Sequence, residues 1–99
     1  MNAYPSRVDR NQKEIVAALR SAGAAVQHLH TIGHGCPDLL VCYRKQLYLI
    51  EVKAPGGRLT PDEQQFIANW PAAVSVVHST AEALEAIGAM EYRVERTNG

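Results

Sequence analysis

The spacing of apolar positions changes repeatedly along the chain, and each change marks an element. Ile15, Ala18, Leu19 and Ala22 recur at helical spacing. Asp9-Arg10-Asn11-Gln12 supplies start signals and Gly23 a stop, so the first helix lies between them. Ala24–Thr31 reads as a strand. Asp38 then opens the run Leu39-Leu40-Val41-Cys42-Tyr43. Arg44-Lys45 breaks it, and Gln46-Leu47-Tyr48-Leu49-Ile50 returns, ending in Glu51-Val52-Lys53. Two such runs with a two-residue break predict a β-hairpin. Ala54–Arg58 is a Gly-rich loop. Thr60-Pro61-Asp62-Glu63 starts a helix with Thr as N-cap, Pro at the first position and Glu closing a capping box. That helix runs to about Trp70 with Phe66, Ile67 and Trp70 as its expected core face, and Pro71 stops it. Ala73–His78 is a fourth strand. Ser79-Thr80-Ala81-Glu82 begins a last helix that ends near Gly88, with Ala83, Leu84 and Ile87 on its apolar face.

The order is therefore α-β-β-β-α-β-α, an α/β fold. The central strands are apolar on both faces, with Leu40 and Leu49 on one and Val41, Tyr48 and Ile50 on the other. This predicts helices on both sides of the sheet. Residues 1–8 read as an arm and 9–88 as one domain. Residues 89–99, where Tyr92 and Val94 alternate with charges, read as a tail: a short strand, a dimer contact or a frayed end.

Composition narrows the class only slightly. At 99 residues and 46% apolar content the chain makes one globular domain. Ten basic and ten acidic residues cancel, so any surface for phosphate must be a local patch. No apolar run approaches the roughly 18 residues of a membrane span, and the N-terminus lacks the apolar stretch of a signal peptide. Cys36 and Cys42 lack metal-type spacing, which fits a reduced cytoplasmic setting.

Charged residues at the ends of apolar strands carry the candidate chemistry. Glu51 and Lys53 share one face of their strand. If Arg44-Lys45 forms the loop, Tyr43 faces Gln46 and, counting back, Asp38 faces Glu51. Directly opposed residues have Cβ atoms roughly 4.5–5.5 Å apart. Two carboxylates that close repel unless a cation sits between them. A divalent metal does this, and oxygen ligands suit Mg²⁺ or Mn²⁺. The plainer reading of Asp38 and Lys53 is an ion pair at the solvated rim of the sheet.

Pro37-Asp38 together with Glu51-Val52-Lys53 resembles the PD-(D/E)xK nuclease superfamily, whose core is restriction-endonuclease-like with a mixed central sheet. Within it the chain is similar to the compact VRR-NUC family, stand-alone phage and bacterial members above all. The narrowing features are Gly33-His34-Gly35-Cys36-Pro37-Asp38, Glu14 on the first helix, and Leu59-Thr60-Pro61 after the lysine. The resemblance implies a metal-dependent endodeoxyribonuclease. Asp38, Glu51 and the Val52 carbonyl would hold Mg²⁺ or Mn²⁺, Glu14 would add a direct or water-mediated ligand, and Lys53 would be catalytic. It further implies a homodimer cleaving branched DNA in the manner of Holliday-junction resolvases. The alternative is a non-catalytic DNA-binding or assembly module that keeps the nuclease fold.

Other residues have open readings. Glu14 is either an active-site carboxylate or a solvated helix residue paired with Arg10. His28 and His30 share a strand face near the active-site edge. His34, flanked by glycines that let the turn approach a ligand, is a candidate DNA contact, as is Arg58; the plain reading of both is solvation. The resemblance places a Gln early in the second long helix, but Glu63 takes that spacing and Gln64 follows one place later. Gln64 is thus a third candidate DNA contact.

Overall fold

The computed structural model describes residues 6–89. Helix α1 spans Arg7–Ser21, beginning within the expected arm because Ser6 serves as N-cap and accepts from the Asp9 amide at 3.1 Å. Its apolar stripe buries Ile15, Val16 and Leu19. Gly23 takes φ 102°, a conformation that favours glycine, and turns the chain into the sheet.

Four strands follow: β1 Ala25–His28, β2 Leu39–Tyr43, β3 Gln46–Val52 and β4 Val74–Val77. They lie in the order β1-β2-β3-β4. The first two pairings are antiparallel and β3–β4 is parallel, so the sheet is mixed. The hairpin register runs from Tyr43 opposite Gln46 to Leu39 opposite Ile50, as the sequence predicts. Arg44 and Lys45 both adopt positive φ, 51° and 68°. Positive φ at both central positions is the twist-matched two-residue turn, achieved here without the usual Asn-Gly. The Arg44 guanidinium lies 5.3 Å from the Tyr43 ring centroid, which offsets part of the strain. β1 is shorter than expected. The Leu29 amide donates to Asp38 O at 2.8 Å, but the Ile32 amide then turns back onto Leu29 O.

One sheet face carries Leu39, Val41, Ile50, Val52 and Val77, all fully or nearly buried. They form a single core with Ile15, Val16 and Leu19 of α1 and with Ala83 and Ile87 beside helix α3, Thr80–Ala86. The other face is half-buried at Leu40, Cys42 and Leu49, and Leu47 is exposed there. Helix α2, Pro61–Asn69, begins with the expected capping box, but no residue of it is buried. The expected core face of Phe66, Ile67 and Trp70 is not formed. Phe66 and Ile67 are half-buried, while Trp70 is 43% exposed and stacks on Phe66. The tail expected to carry Tyr92 and Val94 lies outside the described residues.

Candidate active site

The hairpin register places Asp38 one step beyond the Leu39–Ile50 pair, and therefore opposite Glu51. Pro37, fully buried, anchors the entry to β2. Asp38 Oδ2 accepts a hydrogen bond from the Val52 amide at 2.8 Å, which fixes the carboxylate against β3. Glu51 is the one buried charged residue among those described, at 3% exposure. Burial, then the charge of Asp38, then a hydrogen bond and charge from Glu63, push its carboxyl up to about 8. A carboxyl that retains its proton so far above its usual range shows how strongly this spot resists an uncompensated negative charge.

Lys53 supplies part of the compensation. Its Nζ stands 2.6 Å from Glu63 Oε1 and 3.5 Å from Glu51 Oε2. Burial pulls the ammonium pKa down, but the hydrogen bond and charge of Glu63, then those of Glu51, more than offset that and raise it. The same Glu63 oxygen accepts from the Thr60 amide at 2.8 Å. The capping box thus starts α2 and also delivers a second carboxylate to the lysine. Burial raises the Glu63 pKa, but Lys53 and the Thr60 amide outweigh it and hold the carboxyl below its ordinary value. Sequence reasoning assigned Glu63 only to the cap; its spacing on the resembled pattern was the available signal.

Asn11 is a second residue the sequence did not single out. Its side-chain amide donates to Lys53 O at 2.7 Å and to His78 O at 3.0 Å. The Lys53 amide donates in turn to Val77 O at 2.9 Å. One side chain therefore ties α1 to the ends of β3 and β4, next to the lysine. Asn11→Ala leaves two part-buried carbonyls without their donor and is expected to cost about 2 kcal/mol of stability, read by urea denaturation.

These groups open on a cleft of about 520 Å³. Asp38, Glu51, Val52, Lys53 and Glu63 line it together with Val8, Asp9 and Gln12 of α1 and with His28 and His30. His28 Nδ1 lies 3.4 Å from the Gln12 amide, and the two imidazoles meet edge to face at 6.0 Å. Both histidines line the cleft, but only His28 belongs to β1; His30 lies in the turn beyond it, so the expected shared strand face is not formed.

The remaining candidates stand elsewhere. Glu14 is exposed and does not line the cleft. At about 100° per residue it falls on the side of α1 away from Val8, Asp9 and Gln12. Arg58 is exposed in the loop after Lys53 and lines no part of the cleft. Gln64 uses its amide locally, donating to Leu59 O at 3.3 Å. His34, at φ 56°, lines a separate pocket with Asp62. The glycine beside it is needed for packing. A Cβ at Gly35 would overlap the Asp62 carbonyl, so the turn approaches α2 rather than a ligand.

The fold and the family match together place the chain in a nuclease-fold class. Residues 6–81 match the VRR-NUC domain family. A solved structure described as a VRR-NUC domain shares 27% identity with this chain and superposes with a TM-score of 0.65, covering 84% of this chain and 96% of that one. No curated protein matches the sequence. The chain belongs to the VRR-NUC family, whose members are generally nucleases and so act on DNA.

Proposed function

We propose that this protein is a Mg²⁺- or Mn²⁺-dependent endodeoxyribonuclease that cuts branched DNA as a homodimer, in the manner of a Holliday-junction resolvase. The observation that carries the reading is the buried Glu51 set opposite Asp38 with Lys53 beside it. Asp38 also serves the sheet by accepting from the Val52 amide, but nothing in the packing calls for a buried carboxylate at Glu51, which is unfavourable to the metal-free fold.

The donor set fits a hard divalent cation. Asp38 and Glu51 offer carboxylate oxygens, and Val52 lines the same cleft with its carbonyl as the proposed third donor. Among the described residues no three His, Cys, Asp or Glu side chains are grouped to hold a metal, so Asp38, Glu51 and the Val52 carbonyl would be the protein's whole contribution to the cation. Glu14, on the far side of α1, is left out of this set. A bound cation supplies polarisation of a phosphoryl oxygen and a lowered pKa for a bound water. Lys53 orients the attacking water and offsets charge on the phosphate. His28 and His30, which line the same cleft, would come within reach of the bound strand.

No helix among the described residues is long and apolar enough to cross a membrane. Cys36 and Cys42 are free thiols, which agrees with a cytoplasmic setting in a bacterial or phage-infected cell. A two-fold dimer presents two cleavage sites to two strands, as paired cuts in a four-way junction require. The test compares linear duplex, flap and four-way junction DNA with Mg²⁺, Mn²⁺ or EDTA. Paired symmetric nicks in the junction, lost in EDTA, are expected. Equal cleavage of all three substrates discards the branch preference, and a folded protein that binds DNA and cuts none of it discards the enzyme.

A further inference from the structure

A second pocket, of about 370 Å³, lies along α2 and plays no part in the chemistry above. His34, Asp62, Gln65, Phe66, Asn69 and Trp70 line it. Trp70 and Phe66 stack with centroids 5.0 Å apart and planes 21° from parallel. Trp70 is nevertheless 43% exposed, and Ile32, in the loop that carries His34, is 57% exposed. We propose that this pocket receives a nucleobase from an unpaired DNA strand, stacked on Trp70, while the same strand's backbone lies in the cleft. The inference rests on the nuclease reading and names what lets the site engage an unpaired strand.

The lining chemistry selects a base over a phosphate. No Lys or Arg among the described residues lines the pocket, and Asp62 does. A phosphate would meet the Asp62 carboxylate with no Lys or Arg beside it, whereas a neutral base meets an aromatic face. Stacking of this kind is available to any base. The Asn69 and Gln65 amides each offer donors and an acceptor to a base edge. Within a paired duplex each base face is covered by its neighbours, so a frayed or flapped strand, or a base that unpairs at a branch point, is what fills the pocket.

Position supports the link to cleavage. Asp62 in the pocket and Glu63 in the cleft are consecutive residues of α2. His34 and Asp38 belong to the one segment that Gly35 seats against that helix turn. The two sites are therefore fixed relative to one another.

Trp70 is the single tryptophan of the chain, so its fluorescence reports on the pocket directly. The protein is titrated in EDTA with single-stranded, forked and blunt duplex DNA of equal length. Quenching by the single-stranded and forked DNA, with little from the blunt duplex, is expected. Labelled-DNA anisotropy should show Trp70→Ala losing roughly tenfold of the preference for fork over duplex, with a smaller loss in Asn69→Ala. Circular dichroism checks that both variants are folded. Equal quenching by all three DNAs, or an unchanged preference in Trp70→Ala, overturns the pocket. Quenching that follows protein concentration alone also overturns it, since the occupant is then a second copy of the chain. Because the titration uses EDTA, it separates the two readings. Cleavage without quenching removes the pocket alone, and quenching without any cleavage in Mg²⁺ removes the nuclease and leaves the pocket.

Discussion

Cleavage of DNA falls by roughly a hundredfold to a thousandfold or more in each of Asp38→Asn, Glu51→Gln and Lys53→Ala. The three act at one place. Asp38 is held by the Val52 amide, Glu51 lies opposite it, and Lys53 bridges Glu51 and Glu63. The choice of substitution matters. Asp38→Ala would strip the Val52 amide of its acceptor, a loss of about 1–3 kcal/mol unrelated to catalysis. Asn keeps an oxygen in that position and removes only the charge. Lys53→Ala leaves Glu51 and Glu63 side by side without their cation, so its thermal unfolding is recorded at the assay pH alongside its activity. Each variant should still bind DNA in EDTA, because the cleft's other lining residues and the pocket under Trp70 are untouched. Wild-type cleavage by all three would overturn the assignment of the site.

Much of the site was legible in the sequence because strand alternation is a rigid rule. Once Arg44-Lys45 closes the hairpin, the opposition of Asp38 and Glu51 follows by counting, and the observed register agrees with it. The turn itself was less legible, since two non-glycine residues at positive φ contradict local preference and are imposed by the flanking strands. The capping box of α2 was readable from Thr60 and Glu63, but a cap specifies where a helix begins and not where its sides face. Hence Phe66, Ile67 and Trp70 suggested a core stripe, while α2 buries none of its residues. The same limit applies to α1. Helical spacing identified Ile15 and Leu19 as core, yet the residues one turn earlier meet the site: Asn11 binds the Lys53 carbonyl, and Asp9 and Gln12 line the cleft. Glu14 drew attention by its type, and its angle on the helix sends it to solvent. Glu63 combined a local role with a distant one, and only the distant partner, Lys53, was hidden from the sequence.

The metal-free protein loses stability as pH rises from about 4.5 to about 8, and Glu51 is the cause. Its carboxyl titrates at the ordinary 4.5 in the unfolded chain and at about 8 in the folded one. Below that window both states hold the proton. Within it the unfolded chain gives up the proton first, so the folded state binds more protons and stability falls with rising pH, by a few kcal/mol across the window. The groups facing Glu51 do not reverse the sign. Asp38 and Glu63 are carboxylates that oppose its ionisation, and Lys53 stays protonated throughout with its pKa raised. Glu63, with its own pKa lowered, adds stability that is lost only as pH falls through the acid range. On the proposed reading Mg²⁺ or Mn²⁺ is expected to invert the behaviour, since a cation held by the ionised pair would displace the proton. The gain in Tm on adding the ion should therefore grow with pH over the same window. Glu51→Gln is expected to flatten the pH dependence, raise Tm in EDTA at pH 8 and abolish the gain from the ion, even as it removes cleavage. A wild-type Tm in EDTA that is level or rising across this window would show that Glu51 ionises freely, and the case for a cation held between Asp38 and Glu51 would lose its physical basis.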